Sequence, residues 1–173
     1  MIKEVTNMLL LSLLSFSVSA ATINTELINI SGNTWQAEYT VENNLLVSTI
    51  DEFTIWFDLG LYENISTVST PVDWDPIIIQ PDASIPDDGF YDVLALVTGI
   101  ASGDSLGGFR VSFDWLGGNN PTSQFFEIIE PSTFGVLEAG QTTISTTAIP
   151  EPLSIILLAS GLAGIAFSRR GGF

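Results

Sequence analysis

The sequence contains no cysteine and no histidine. Zinc sites built on those residues, cysteine nucleophiles and histidine-based triads are therefore excluded, and no disulfide can brace the fold. Basic residues are scarce too: Lys3, Arg110, Arg169 and Arg170 stand against twenty acids, a net charge of −16. Between Ala21 and Ile149 all the acids but Glu4 and Glu151 remain, eighteen of them, and they face Arg110 alone. Such a surface repels phosphate backbones, so nucleic acid is not a partner. It attracts cations and favours solubility. With no His, Cys or Lys in that stretch, few general bases remain. Carboxylate pairs arise there by chance, so they do not mark a glycosidase. The chain reads as a non-enzyme. A helical period is also missing from Ala21 to Ile149.

The two ends have a different composition. Lys3 precedes an apolar run from Met8 to Val18, broken only by serines, and Val18-Ser19-Ala20 offers small residues for cleavage. This predicts a secretory signal peptide over residues 1–20. At the other end, Leu153 to Phe167 is apolar apart from two serines and two glycines. Fifteen residues of helix span about 22 Å, short for a bilayer core. Pro152 suits a helix start. Arg169 and Arg170 would hold the far end in the cytoplasm.

Pro150-Glu151-Pro152, the apolar segment containing Ser160-Gly161-Leu162-Ala163-Gly164, and Arg169-Arg170 together resemble the PEP-CTERM sorting signal. In that family a membrane-embedded exosortase is thought to recognise and process the tail of exported proteins. These proteins occur in Gram-negative bacteria that make exopolysaccharide. The resemblance implies Pro150, Glu151 and Pro152 as the sorting motif and Arg169 and Arg170 as the topology-setting bases. It implies exosortase as a partner. The protein would be held in the inner membrane by its C-terminal helix before processing, and would lie at the cell surface or in the extracellular matrix afterwards. The expected organisation is a leader (1–20), a domain (21–147) and a sorting segment (148–173).

The domain alternates with period two. Trp35 to Glu42 is apolar at every odd position, Phe109 to Trp115 repeats the pattern, and Phe53 to Leu59 follows it. These are strands with one wet face. Phe90 to Val97 alternates less and predicts a strand covered on both sides. Thr22 to Ile30, Gln124 to Ile129 and Thr142 to Ser145 complete seven or eight strands. Ser31-Gly32-Asn33 predicts a hairpin. The fold class is all-β: an antiparallel sandwich, immunoglobulin- or jelly-roll-like.

One connection stands out, Pro71 to Gly89. Pro71, Pro76, Pro81 and Pro86 disfavour a central strand, and long loops on a sandwich tend to carry function. Asp73, Asp75, Asp82, Asp87 and Asp88 are candidate calcium ligands, although EF-hand spacing is lacking. As turn formers the same aspartates need no metal. Trp74 is expected to be exposed here, as a stacking ring for sugars. Trp35 and Trp115 are expected in the core. Trp56 must point away from Ile55 and Phe57, towards a second buried surface or a binding face. The segments from Asp73 to Leu96 and from Asp104 to Ile128 resemble stretches in many PEP-CTERM extracellular proteins, which implies compartment and fold only. Two roles follow. One is a structural or adhesive protein of the surface or matrix. The other is a calcium-dependent carbohydrate-binding module acting on exopolysaccharide or surface glycans.

Overall fold

The computed structural model describes residues 20–145. The leader, the sorting residues Pro150, Glu151 and Pro152, the expected helix, and Arg169 and Arg170 lie outside the described residues.

Ten strands build the domain: β1 (Ala21–Ser31), β2 (Thr34–Asn43), β3 (Glu52–Phe57), β4 (Tyr62–Ser69), β5 (Trp74–Ile79), β6 (Gly89–Ala95), β7 (Ser105–Trp115), β8 (Phe125–Glu130), β9 (Gly135–Gln141) and β10 (Thr143–Ile144). They form two five-stranded sheets, in the orders β10-β1-β2-β7-β4 and β5-β6-β3-β8-β9. Every pairing is antiparallel except β1 with β10. The all-β class is as the alternation predicts.

Register turns alternation into a core. On β2 and β7, Ala37 stands opposite Val111 and Tyr39 opposite Phe109, all buried. In the second sheet Phe53 faces Val93, and Ile55 faces both Tyr91 and Phe126. The two inner faces meet through aromatic rings. Phe53 meets Phe109 edge to face at 5.0 Å between centroids, and Tyr62 meets Phe57 across the gap and Phe113 on its own sheet at 5.0 Å each. Such pairs each add about 0.5–1.5 kcal/mol beyond area burial. Trp35 and Trp115 pack at the margin of this core, half-buried. The β1–β2 hairpin forms at Ser31-Gly32-Asn33 as expected; Ser31 pairs with Thr34, so only Gly32, at φ 57°, and Asn33 lie in the loop.

Three differences from the sequence reading concern the second sheet and its neighbours. Pro71 to Gly89 is not one long loop, because β5 runs inside it. Pro76 is tolerated there because β5 is an edge strand and needs ladder bonds on one side only. The outer side of β6 has no covering layer among the described residues: Phe90, Asp92 and Leu94 are half-buried on an open face. Finally, β4, β5 and β9 are strands the alternation did not reveal.

Gly89 fixes the return from β5 to β6. A Cβ there would lie 2.5 Å from Pro81 Cδ and 2.8 Å from the Ile79 carbonyl.

Candidate functional site

The acidic connection does not gather its carboxylates. Asp73 sits at φ 69°, exposed, and its carbonyl accepts from Leu96 N at 2.8 Å. Asp75 points outward from β5. Asp82 and Asp87 exchange two backbone hydrogen bonds, at 3.0 and 3.2 Å. Asp82 Oδ1 accepts from Ser84 N at 2.8 Å and from the Ser84 hydroxyl, which together hold its carboxyl below the usual range. Asp87 Oδ1 accepts from Asp88 N at 3.0 Å, and Asp88 Oδ1 accepts from Leu59 N at 2.7 Å. Asp82, Asp87 and Asp88 thus serve their own turns and the β3–β4 connection. Among the described residues, no three acidic side chains come together as a metal-holding group.

Trp74 is also placed differently from the expectation. It is buried, 7% exposed, with its ring 5.3 Å from Phe109 and 6.1 Å from Phe53. The left-handed turn at Asp73 starts β5 so that Trp74 faces inward and Asp75 outward. A large apolar ring next to an open edge of the core is stabilised by entering it.

Trp56 is the tryptophan that reaches an outer face. Ile55 and Phe57 are fully buried, so Trp56 projects from the opposite side of β3. Ladder register then assembles a line. Ile79 pairs with Phe90, and Phe90 pairs with Trp56. Ile55 pairs with Phe126, so the next step along that antiparallel ladder sets Trp56 beside Phe125, and Phe125 pairs with Gln141. Ile79, Phe90, Trp56, Phe125 and Gln141 thus cross all five strands, at the roughly 4.8 Å strand spacing. Ile79 is 47% and Phe125 39% exposed. Trp56 and Phe90 are half-buried against each other, 5.4 Å apart at 60°. Trp56 Nε1 donates to Glu127 Oε2 at 3.1 Å, which fixes the indole.

A polar row runs alongside. Asp92, Thr54 and Glu127 are register neighbours, and the Thr54 hydroxyl donates to Asp92 Oδ1 at 2.6 Å. Burial pushes the Asp92 carboxyl up, against the opposing pull of that hydrogen bond. Glu52 on the same face is raised by burial and then by repulsion from Asp92 and Glu130.

Two recesses adjoin these elements. A small cavity of about 60 Å³ lies at the Phe125 end of the row, bordered by Trp56, Asp58, Tyr62 and Gln124. A wider groove of about 330 Å³ lies where β10 meets β1, lined by Leu27, Trp35 and Pro121.

Of the predicted residues, only the direction of Trp56 was readable in advance. Phe90, Phe125 and Ile79 join it through cross-strand register. Alternation within one strand does not supply that register.

No family model matches the chain, and no curated protein matches it. Among solved structures, the chitin-binding domain of Chi18aC from Streptomyces coelicolor is 16% identical, covering 63% of this chain and 91% of that one, with a TM-score of 0.42. A family 3b carbohydrate-binding module from the biomass sensoring system of Clostridium clariflavum is 13% identical, covering 70% and 97%, also at 0.42. A GH20 exo-β-N-acetylglucosaminidase from Vibrio harveyi is 10% identical at 0.37; 73% of this chain spans only 18% of that one. Likenesses this remote extend no further than the all-β outline.

Proposed function

We propose that this chain is a non-catalytic adhesive protein that binds polysaccharide across the outer face of the second sheet. The observation that carries the reading is the line Ile79–Phe90–Trp56–Phe125, with the polar row of Asp92, Thr54 and Glu127 beside it. A pyranose ring has an apolar C–H face and a polar edge. Aromatic rings take the first, and carboxylates and hydroxyls take the second. The excess of acids over Arg110 disfavours anionic polymers. Neutral polysaccharides fit best. Calcium has no part in this binding mode.

The adhesive role belongs with the sorting signal. The leader exports the chain from a Gram-negative cell, an exosortase processes the PEP-CTERM tail, and the domain then works at the surface or in the exopolysaccharide matrix. The support is the sequence of both ends.

Co-sedimentation of the exported protein with insoluble neutral polysaccharide tests the binding. Trp56→Ala and Phe125→Ala are expected to release it, and Gln36→Ala on the other sheet to leave it bound. Binding that survives both aromatic truncations overturns the reading. For sorting, Pro150→Ala with Glu151→Ala is expected to block tail removal in an exosortase host, read by mass spectrometry. Unchanged processing would count against it.

A further inference from the structure

The first sheet leaves part of one edge uncovered. β1 runs from Ala21 to Ser31, and β2 follows it on one side along nearly all of that length. On the other side β10 meets it at Asn24 and Thr25 alone. Ser145 N then donates to Thr25 O at 2.8 Å, so the backbone groups of Thr25 point towards β10. Those of Leu27 and Asn29 alternate with it and point the same way. Among the described residues no strand lies beside them on that side. A row of unpaired N–H and C=O groups is a template for another strand.

The groove at this edge narrows what fits. Its walls include Leu27 and Trp35, together with Ile144 and Ser145, where the described residues end. β10 runs parallel to β1, so the chain leaving Ser145 is already headed along the free edge. Next come Thr146-Thr147-Ala148-Ile149, uncharged, without glycine or proline, and rich in the strand formers Thr and Ile. Continuing the register of Asn24 with Thr143 and Thr25 with Ile144 sets Thr147 beside Ile28 and Ile149 beside Ile30. Ile28 is 38% and Ile30 57% exposed, so Ile149 meets the barer of the two. Pro150 comes opposite Ser31, where β1 ends. A second copy would instead set two strongly acidic domains edge to edge, with Glu26 already in the groove wall.

We propose that the free edge of β1 is the docking site of this chain's own segment 146–149, which adds to the first sheet as a continuation of β10. In the parallel ladder Ser145 O accepts from Leu27 N, Thr147 N donates to Leu27 O, and Thr147 O accepts from Asn29 N, while Ala148 N points away. The sorting residues Pro150, Glu151 and Pro152 then begin where the sheet stops, at the β1–β2 hairpin. Glycan binding on the other sheet plays no part in this docking.

The test is hydrogen exchange at single backbone amides, followed by NMR in the full-length chain. The Ile28 amide faces β2 and is the internal reference. Leu27 and Asn29 are expected to be protected in wild type. Thr147→Pro removes a ladder donor and is expected to speed exchange at both about tenfold. Ala148→Pro removes only an outward N–H and is expected to leave both rates near wild type. Unprotected Leu27 and Asn29 amides in wild type overturn the proposal whatever the variants do. Two proline variants that behave alike overturn it as well. Protection at Asn29 that survives Thr147→Pro and grows with protein concentration would give the edge to a second copy.

Discussion

The outer faces of the two sheets share a core but spend their side chains differently. On the first sheet, polar neighbours satisfy one another. Arg110 pairs with Glu38 at 2.9 Å, Thr34 and Asn64 both donate to Asp114, Ser66 meets Ser112, and Thr22 and Asn24 donate to Glu42. On the second sheet, Ile77, Ile79, Phe125 and Val136 are left substantially exposed. Carboxylates register the contrast. Asp114 is held below its ordinary value by hydrogen bonds from Thr34 and Asn64, whereas burial pushes Asp92 above its own. A sandwich fixes its inner residues by packing. Its outer residues are released from that constraint: the first face exposes Ile28 and Ile30 on β1 among its polar pairs, whereas the second carries an apolar line across neighbouring strands.

The sharpest test of the contrast compares two tryptophans of the second sheet. Trp74→Ala is expected to cost about 3–5 kcal/mol in urea unfolding, from lost burial and cavity formation. Trp56→Ala on the outer face is expected to cost about 1–2 kcal/mol while abolishing polysaccharide binding. Equal costs would make Trp56 a core residue and erase the distinction.

Charge gives the next test. The folded domain holds the Asp92 proton more tightly than the unfolded chain does, so this group's contribution to stability falls as pH rises from its ordinary 3.8 through the raised folded value. Asp92→Asn is therefore expected to raise the melting temperature at neutral pH and to have no such effect in acid. Asp114 has the opposite sign: its contribution is present above 3.8 and is lost as pH falls through the lowered folded value. Asp114→Asn is expected to lower the neutral melting temperature, with the loss fading in acid. Melts from pH 3 to 7 would break the comparison if both variants moved alike.

Smaller effects follow. Glu38→Gln removes a half-exposed ion pair and is expected to lower the melting temperature slightly at low salt, and less at high salt. The Asp73→Asn/Asp75→Asn variant is expected to change least. Calcium should raise its melting temperature and that of wild type by the same unsaturating curve. A saturating wild-type curve lost in the variant would establish a site.

What could be read from the sequence follows position within the sheets. β1, β2 and β7 in one sheet and β6, β3 and β8 in the other are interior strands, and each corresponds to a predicted segment. An interior strand is held on both sides and keeps its inward positions mostly apolar, even where, as in β6, alternation is loose; of the edge strands only β10 matches an expected segment, Thr142 to Ser145. The strands that escaped notice, β4, β5 and β9, all lie at edges. β4 is interrupted by register shifts and by Asn64 at φ 54°, β5 carries Pro76, and β9 carries Gly140 and a register shift. Irregular, proline-bearing edges resist pairing with other chains, and the same features blur the pattern. Trp74 reads as a loop residue for the same reason: prolines and aspartates surround it. The uncovered edge of β1 depends on three-dimensional surroundings that no local pattern encodes.

The β1–β10 pairing sets how the domain bears load. β10 lies parallel to β1 through Asn24–Thr143 and Thr25–Ile144, and Ser145 N donates to Thr25 O at 2.8 Å. Residues 146–173 continue from that point. Were the domain held through them as proposed, tension would enter at β10 and pass to β1, with the hydrogen bonds strained together in shear, and to β9 along the backbone. The aromatic line lies on the other sheet. The backbone itself crosses at Thr142, between Gln141 at the end of that line and β10, so under the proposed function a pull between a bound glycan and the tail would run along the chain, with the rings of Phe53, Phe109 and Trp74 bracing one sheet against the other.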